Sequence, residues 1–406
     1  MFAHLTSQLE TEVQTALKVL AMNEAVRDLL ISQHEFLGNR PASLPPDSGT
    51  GEQISHTLGT LIPNIPSKLD WQVYDHCAAV TRIYAAYERF VSDLVGEYIR
   101  MLPRLYATYA ELPLTLTRQH RRGIGHILLK LGETGRYKNI EEEVIVTQLA
   151  EGLSGASSYT LLTEAFFIDR QNLRFEVLTR LFGSLGFEGS ARFIESHAAI
   201  SNFISQERAE GSSAKNELQS FVDYRNQAAH KKVENLLSKD ETGAVGRFIC
   251  ALGRALADLV TNQTYRRHME LKHYSVLLKI KETHYSGKVV IGIPAKGVTL
   301  KVGDEVLIWG KRVFRSATLQ SIQLDGADSP ETEGDGSREV GIKLSDKAPK
   351  ASELCRLEIP PEAPKELQLD LTESIPSSAN TADSDLSEAT EEEPSSMEPE
   401  EGTAAS

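Results

Sequence analysis

From Met1 to about Val260 the apolar residues return at steps of three and four, and beyond about residue 270 they return at steps of two. The first spacing buries one stripe of a helix and the second buries one face of a strand, so the change of period divides the chain into an all-helical part and a strand-rich part. Phe2, Leu5, Leu9, Val13, Leu17 and Leu20 mark a first amphipathic helix, and residues 39–66, rich in Gly, Pro and Ser, read as a loop. Residues 71–101 are predicted as a long helix. Its apolar positions, among them Val80, Ile83, Tyr84, Tyr87, Phe90, Val91, Leu94 and Tyr98, form a band wide enough for the centre of a domain. Further helices are predicted over 117–131, 140–152, 172–185, 193–201, 215–237 and 245–260.

In the strand-rich part Val276, Leu278 and Ile280 alternate with Leu277, Lys279 and Lys281. Residues 287–294, 303–309, 317–326 and 339–344 follow with turn residues about ten apart, which predicts a small closed β-barrel over 270–360. The fold class is therefore α plus β: a helical bundle over 1–262, with its core at about 67–260, then the barrel. Residues 361–406 form an expected disordered acidic tail, too poor in apolar residues to bury a core.

Charge bears on the choice of partner. The net charge of −14 looks unsuited to nucleic acid, yet the last 46 residues hold 13 acidic groups against one lysine and leave residues 1–360 at only −2. A near-neutral body can carry a local basic patch. The tail reads either as a solubilising segment or as a nucleic-acid mimic that restrains activity. Cys77, Cys250 and Cys355 lie far apart with no Cys-x-x-Cys spacing, so neither a disulfide framework nor a metal site is expected, and no cofactor. The start of the chain lacks the marks of a signal peptide and no apolar run is long enough for a membrane, so a cytoplasmic protein without membrane partners is expected.

The segment that carries chemistry is Asp223-Tyr224-Arg225-Asn226-Gln227-Ala228-Ala229-His230. A histidine titrates near neutral pH and moves protons, and an arginine offers a permanently charged planar fork suited to phosphate. An arginine and a histidine separated by four to six residues recur at Arg27/His34, Arg121/His126, Arg192/His197 and Arg266 or Arg267/His273, so spacing alone does not select a site. Only at Arg225 is the arginine followed by an amide, Asn226, and only there do two alanines leave room beside the histidine. On the predicted 215–237 helix Leu218, Val222, Arg225, Ala229, Val233 and Leu236 share one stripe, so Arg225 interrupts an apolar face and needs a partner or water. Arg225 and His230 diverge by about 140° around that helix. They converge only across a cleft such as the interface of a homodimer.

These residues resemble the HEPN superfamily of helical ribonucleases, and within it the RiboL-PSP type. The hallmark is matched by Arg225, Asn226 and His230. The likeness extends to 84–90, 169–174 and 181–187 and covers roughly residues 67–260. The resemblance implies metal-independent cleavage of RNA at a dimer interface, in a family that often serves in toxin or antiviral systems, and it leaves room for an inhibitory protein partner. It implies that His230 acts as acid or base on a ribose 2′-hydroxyl, that Arg225 binds the phosphate, that Asn226 orients its neighbours and that Glu88 adds a polar or proton-relay group. Lys231 and Lys232 would attract the RNA backbone. Other readings stay open: Arg225 and His230 as packing or dimer contacts, Glu88 as a helix salt bridge, and the two lysines as a solvated face. The aromatic band of Tyr84, Tyr87, Phe90 and Tyr98 reads as core.

The segments at Val302, Ser321 and Val340 in the barrel resemble the second, β-barrel domain of translation elongation factors, interrupted by an acidic loop at 328–336. That likeness implies an adaptor and leaves two further readings of the whole chain, a catalytically silent binding module and a translation-linked adaptor.

Overall fold

The computed structural model describes residues 1–38, 64–131, 137, 139–156, 158–168, 172–230, 233–310 and 313–358. Most of the expected 39–66 loop, Lys231, Lys232 and the acidic tail lie outside the described residues. Nine α-helices are described before the barrel: α1 (Ala3–Gly38), α2 (Lys68–Leu105), α3 (Leu114–Lys130), α4 (Glu142–Leu153), α5 (Phe175–Ser184), α6 (Ser190–Ser196), α7 (Ala198–Glu207), α8 (Ala214–His230) and α9 (Lys239–Glu270).

Helix α2 is the axis of the bundle. Ser67 Oγ accepts the Asp70 N–H at 3.1 Å, and Asp70 places a negative charge where the helix dipole favours it. Pro103 lacks a donor and the helix stops two residues later at Leu105. Between these limits Val80, Ile83, Tyr87, Val91, Leu94, Val95 and Ile99 are fully buried, and α1, α8 and α9 pack around them. The wide apolar band of the sequence thus becomes the centre of the core. Helix α9 approaches α1 closely because position 253 is glycine; a Cβ there would stand 2.5 Å from Leu9 Cδ2.

Several helix boundaries differ from the sequence reading: α1 runs past Leu20 to Gly38, and α9 spans Lys239–Glu270 where the spacing predicts 245–260. The predicted 172–185 helix begins only at Phe175. The predicted 193–201 helix is two helices, because His197 is extended and its Nδ1 accepts the Ala199 N–H at 3.2 Å, which caps α7. The predicted 215–237 helix ends at His230. Ser238 and Glu241 form a capping box that starts α9, and the Leu237 N–H turns to His76 Nδ1 at 3.3 Å. Val233 and Leu236 therefore do not extend the α8 stripe.

The barrel closes as β4 (Glu305–Gly310), β9 (Glu353–Leu357), β1 (Tyr274–His284), β2 (Val289–Pro294), β8 (Val340–Leu344) and β5 (Val313–Leu324), with β5 pairing back to β4. All six pairings are antiparallel. Strand β9, which the sequence reading did not single out, fills the gap between β1 and β4. Leu277 and Leu278 are both buried, against strict alternation, because β1 carries a bulge against β9 between Val276 and Leu278. The acidic 328–336 segment is more ordered than a loop: β7 (Glu331–Glu333) pairs with β3 (Thr299–Lys301), burying Leu300 and Thr332. A short β6 (Ala327–Ser329) folds back to pair antiparallel with the end of β5. Helix α9 meets the barrel through Met269, Leu307 and Cys355, with Tyr265, Trp309 and Phe314 around them. Among the described residues no helix is long and apolar enough to cross a membrane.

Candidate functional site

Helix α8 is held against α2 by Leu218, Phe221 and Val222, all fully buried, with Phe221 tilted against Tyr84 at a ring separation of 5.7 Å. The next turn of α8 lifts Arg225 onto the same tyrosine. Its guanidinium carbon stands 4.9 Å from the Tyr84 ring centre, a cation–π contact. Arg225 Nη1 donates to Asn172 Oδ1 at 3.2 Å and to Asn226 Oδ1 at 3.3 Å. Asn172 Nδ2 in turn donates to Asn226 Oδ1 at 2.9 Å, closing a ring of three side chains. Among the described residues the hydrogen-bond partners of Arg225 are neutral amides, and no carboxylate forms an ion pair with it. Its position is fixed, and its charge is not cancelled by these partners.

Asn172 is itself anchored. The neighbouring Leu173 N–H donates to Tyr84 Oη at 3.0 Å and the Leu173 carbonyl accepts from Tyr87 Oη at 3.1 Å. Glu88 lies one turn beyond Tyr84 on α2. Burial first, and then the charge of Glu88, hold the Tyr84 phenol well above its ordinary pKa range, against the opposing influence of the Leu173 N–H and Arg225. Glu88 and Arg225 thus act on the same tyrosine, Glu88 through its charge and Arg225 over the ring. Arg174 extends the cluster outward through Asp223 at 3.4 Å, and Gln219 donates to the same carboxylate at 2.9 Å.

The structure therefore brings Arg225, Asn226 and Glu88 together around Tyr84. His230 is the last residue of α8, and its side chain lies outside the described residues, as do Lys231 and Lys232. Sequence reasoning missed two members of the cluster. By its pattern Tyr84 belongs to the core band, and it is 2% exposed, yet its ring face and hydroxyl serve the polar cluster. The signal available was its i,i+4 spacing from Glu88. Asn172 gives no local signal, because it reaches Arg225 from 53 residues away.

The other arginine–histidine spacings have structural roles wherever they are described. Arg27 is 4% exposed and faces Asp75 and Asp28 at 3.5 and 3.4 Å. Arg121 lies over the Tyr109 ring at 5.6 Å, and His197 caps α7 while bonding Asp258 at 3.0 Å.

No curated protein matches the chain. The family model described as RiboL-PSP-HEPN matches residues 52–262, which is more than half of the chain and includes α2, Asn172 and α8, and the protein belongs to that family.

Proposed function

We propose that this protein is an endoribonuclease that cleaves RNA without a metal ion. Family membership supports an RNase-type or RNA-binding role. The observation that carries the finer reading is Arg225, stacked on Tyr84, hydrogen-bonded to two amides and left without a carboxylate partner among the described residues. A cation oriented in this way matches a phosphodiester that gains negative charge in its transition state.

In this reading His230 removes the proton of a ribose 2′-hydroxyl, and the oxygen attacks the adjacent phosphorus. The bond from phosphorus to the 5′-oxygen breaks, and the departing oxygen takes a proton from an imidazolium. The products are a 2′,3′-cyclic phosphate and a 5′-hydroxyl. Because Arg225 and His230 diverge around α8, two copies meeting along this helix complete the site, and the second copy supplies the second histidine. Asn226 and Asn172 hold the guanidinium, Glu88 and Tyr84 support it from below, and Lys231 and Lys232 draw the backbone in. The cytoplasm is the proposed location, and a toxin or defence role with an inhibitory protein partner is the proposed setting.

Incubation of the purified chain with a mixed RNA pool in excess chelator, beside His230→Ala, tests this reading. Fragments ending in cyclic phosphate from the wild type alone are expected. Equal cleavage by both proteins rejects His230, and no cleavage by either leaves RNA binding as the role.

A further inference from the structure

The hairpin between β1 and β2 has two consecutive non-glycine residues in the left-handed region, Tyr285 at φ 50° and Ser286 at φ 58°. Such backbone is costly for side-chain-bearing residues and persists only where its surroundings impose it. Here they do. The Gly287 carbonyl accepts the Ala348 N–H at 2.8 Å, the Lys288 carbonyl accepts the Leu344 N–H at 2.8 Å, and Val289 pairs with Lys343. The result is that Tyr285 stands 82% exposed, more than any other large apolar side chain of the described residues.

The same backbone ties gather lysines around it. Lys288 follows the turn, Lys343 projects outward from β8, and Lys347 and Lys350 lie on the connection that holds the turn; all four are exposed. Among the described residues none of the four has an ion-pair partner, because the neighbouring acids are engaged elsewhere. Asp346 pairs with Arg315 at 3.5 Å and Glu339 with Lys281 at 2.8 Å. One end of the barrel therefore presents an exposed aromatic ring on a fixed turn, beside a connection that carries lysines without ion-pair partners among the described residues. Aromatic rings that accept a stacked base, set among cations that follow the phosphates, are the means by which proteins hold single-stranded nucleic acid.

We infer that this end of the barrel binds single-stranded RNA, with a base stacked on Tyr285 and phosphates on Lys288, Lys343, Lys347 and Lys350. This surface is separate from the Arg225 cluster and does not require cleavage. It gives the barrel the work of holding a strand.

The test uses the full chain carrying His230→Ala, so that RNA stays intact, and a labelled single-stranded RNA of mixed sequence read by fluorescence anisotropy. Tyr285→Asn removes the ring while suiting the left-handed backbone, and is expected to weaken binding roughly tenfold. Tyr285→Phe keeps the ring and is expected to bind as its parent does. Lys288→Glu with Lys347→Glu is expected to make the dependence of log affinity on log salt shallower by about 0.7 for each phosphate that no longer meets a lysine. Duplex RNA, whose bases are not free to stack, is expected to bind the Tyr285→Asn variant and its parent alike. Unchanged single-strand affinity and salt slope across the variants would overturn the inference, whatever protein the surface then binds. The two readings fail separately: a chain that never cleaves can show Tyr285-dependent binding, and a cleaving chain can lack it.

Discussion

Two arginines pack beside α2, and they differ in their partners. Arg27 on α1 is 4% exposed and faces Asp75 at 3.5 Å, Asp28 at 3.4 Å and Glu24 at 3.7 Å. Asp75 is itself 3% exposed and takes a further hydrogen bond from Asn23 at 3.0 Å, while its Oδ2 meets the guanidinium as an ion pair without a well-aligned hydrogen bond. Arg225 on α8 is half-buried and held by two amides and a ring face. Both precede a histidine within the same window of four to six intervening residues. The carboxylates around Arg27 neutralise it and commit it to the fold, whereas the neutral partners of Arg225 fix its direction and leave its charge for the ligand that the proposed function requires.

That contrast can be broken at several points. The largest effect is expected from His230→Ala, which should lower RNA cleavage by about 10²–10⁴-fold while the far-UV circular dichroism spectrum is unchanged. Arg27→Gln should cost about 3–5 kcal/mol in urea unfolding, because it leaves Asp75 buried without its cation. Next in size is a pH effect. His120 Nε2 accepts the Leu162 N–H at 3.1 Å, so the neutral ring carries its proton on Nδ1, which faces Tyr109 Oη at 3.0 Å. Burial, with Arg121 adding, pushes the His120 pKa down to about 4. The unfolded chain takes up this proton near pH 6.5 and the folded chain resists, so stability is complete above 6.5. It should fall by about 3 kcal/mol as the pH drops from 6.5 to 4, and His120→Gln should flatten that limb of a pH series of urea midpoints.

Two smaller effects follow. Gly123→Ala should cost about 1–3 kcal/mol in thermal or urea unfolding, since a Cβ there would stand 1.9 Å from the Ala165 carbonyl oxygen. Asn172→Asp sharpens the contrast directly by giving Arg225 the kind of partner that Arg27 has. It should lower the cleavage rate by roughly tenfold, as an ionic bond to Arg225 replaces a neutral one, and cost about 1 kcal/mol in urea unfolding, because a carboxylate cannot donate to Asn226 Oδ1.

Much of this fold could be read from residue spacing, because period follows from which face is buried. The band on α2 and the alternation after residue 270 became the helical core and the barrel. Local competition was less legible. The spacing carries the α8 stripe on through Val233 and Leu236, but α8 ends at His230 and the Ser238–Glu241 capping box begins a new helix just beyond. The 117–131 helix forms as α3 even through Gly123 and Gly125, and at 123 the close approach of Ala165 needs the missing Cβ, a tertiary reason that local spacing does not carry. At the site, Arg225 and Asn226 stood out by type and order. Tyr84 and Asn172 did not, because their role comes from contacts between distant segments, which no local pattern records.

The most direct measurement compares Arg225→Gln and Arg27→Gln side by side, reading cleavage rate per folded molecule and thermal midpoint. Arg225→Gln is expected to lose about 10²–10³-fold in cleavage with its midpoint nearly unchanged, while Arg27→Gln melts several degrees lower and cleaves at the wild-type rate. Full cleavage by Arg225→Gln, or a loss of stability in it as large as that of Arg27→Gln, would contradict the division of roles between a ligand-facing and a fold-committed arginine.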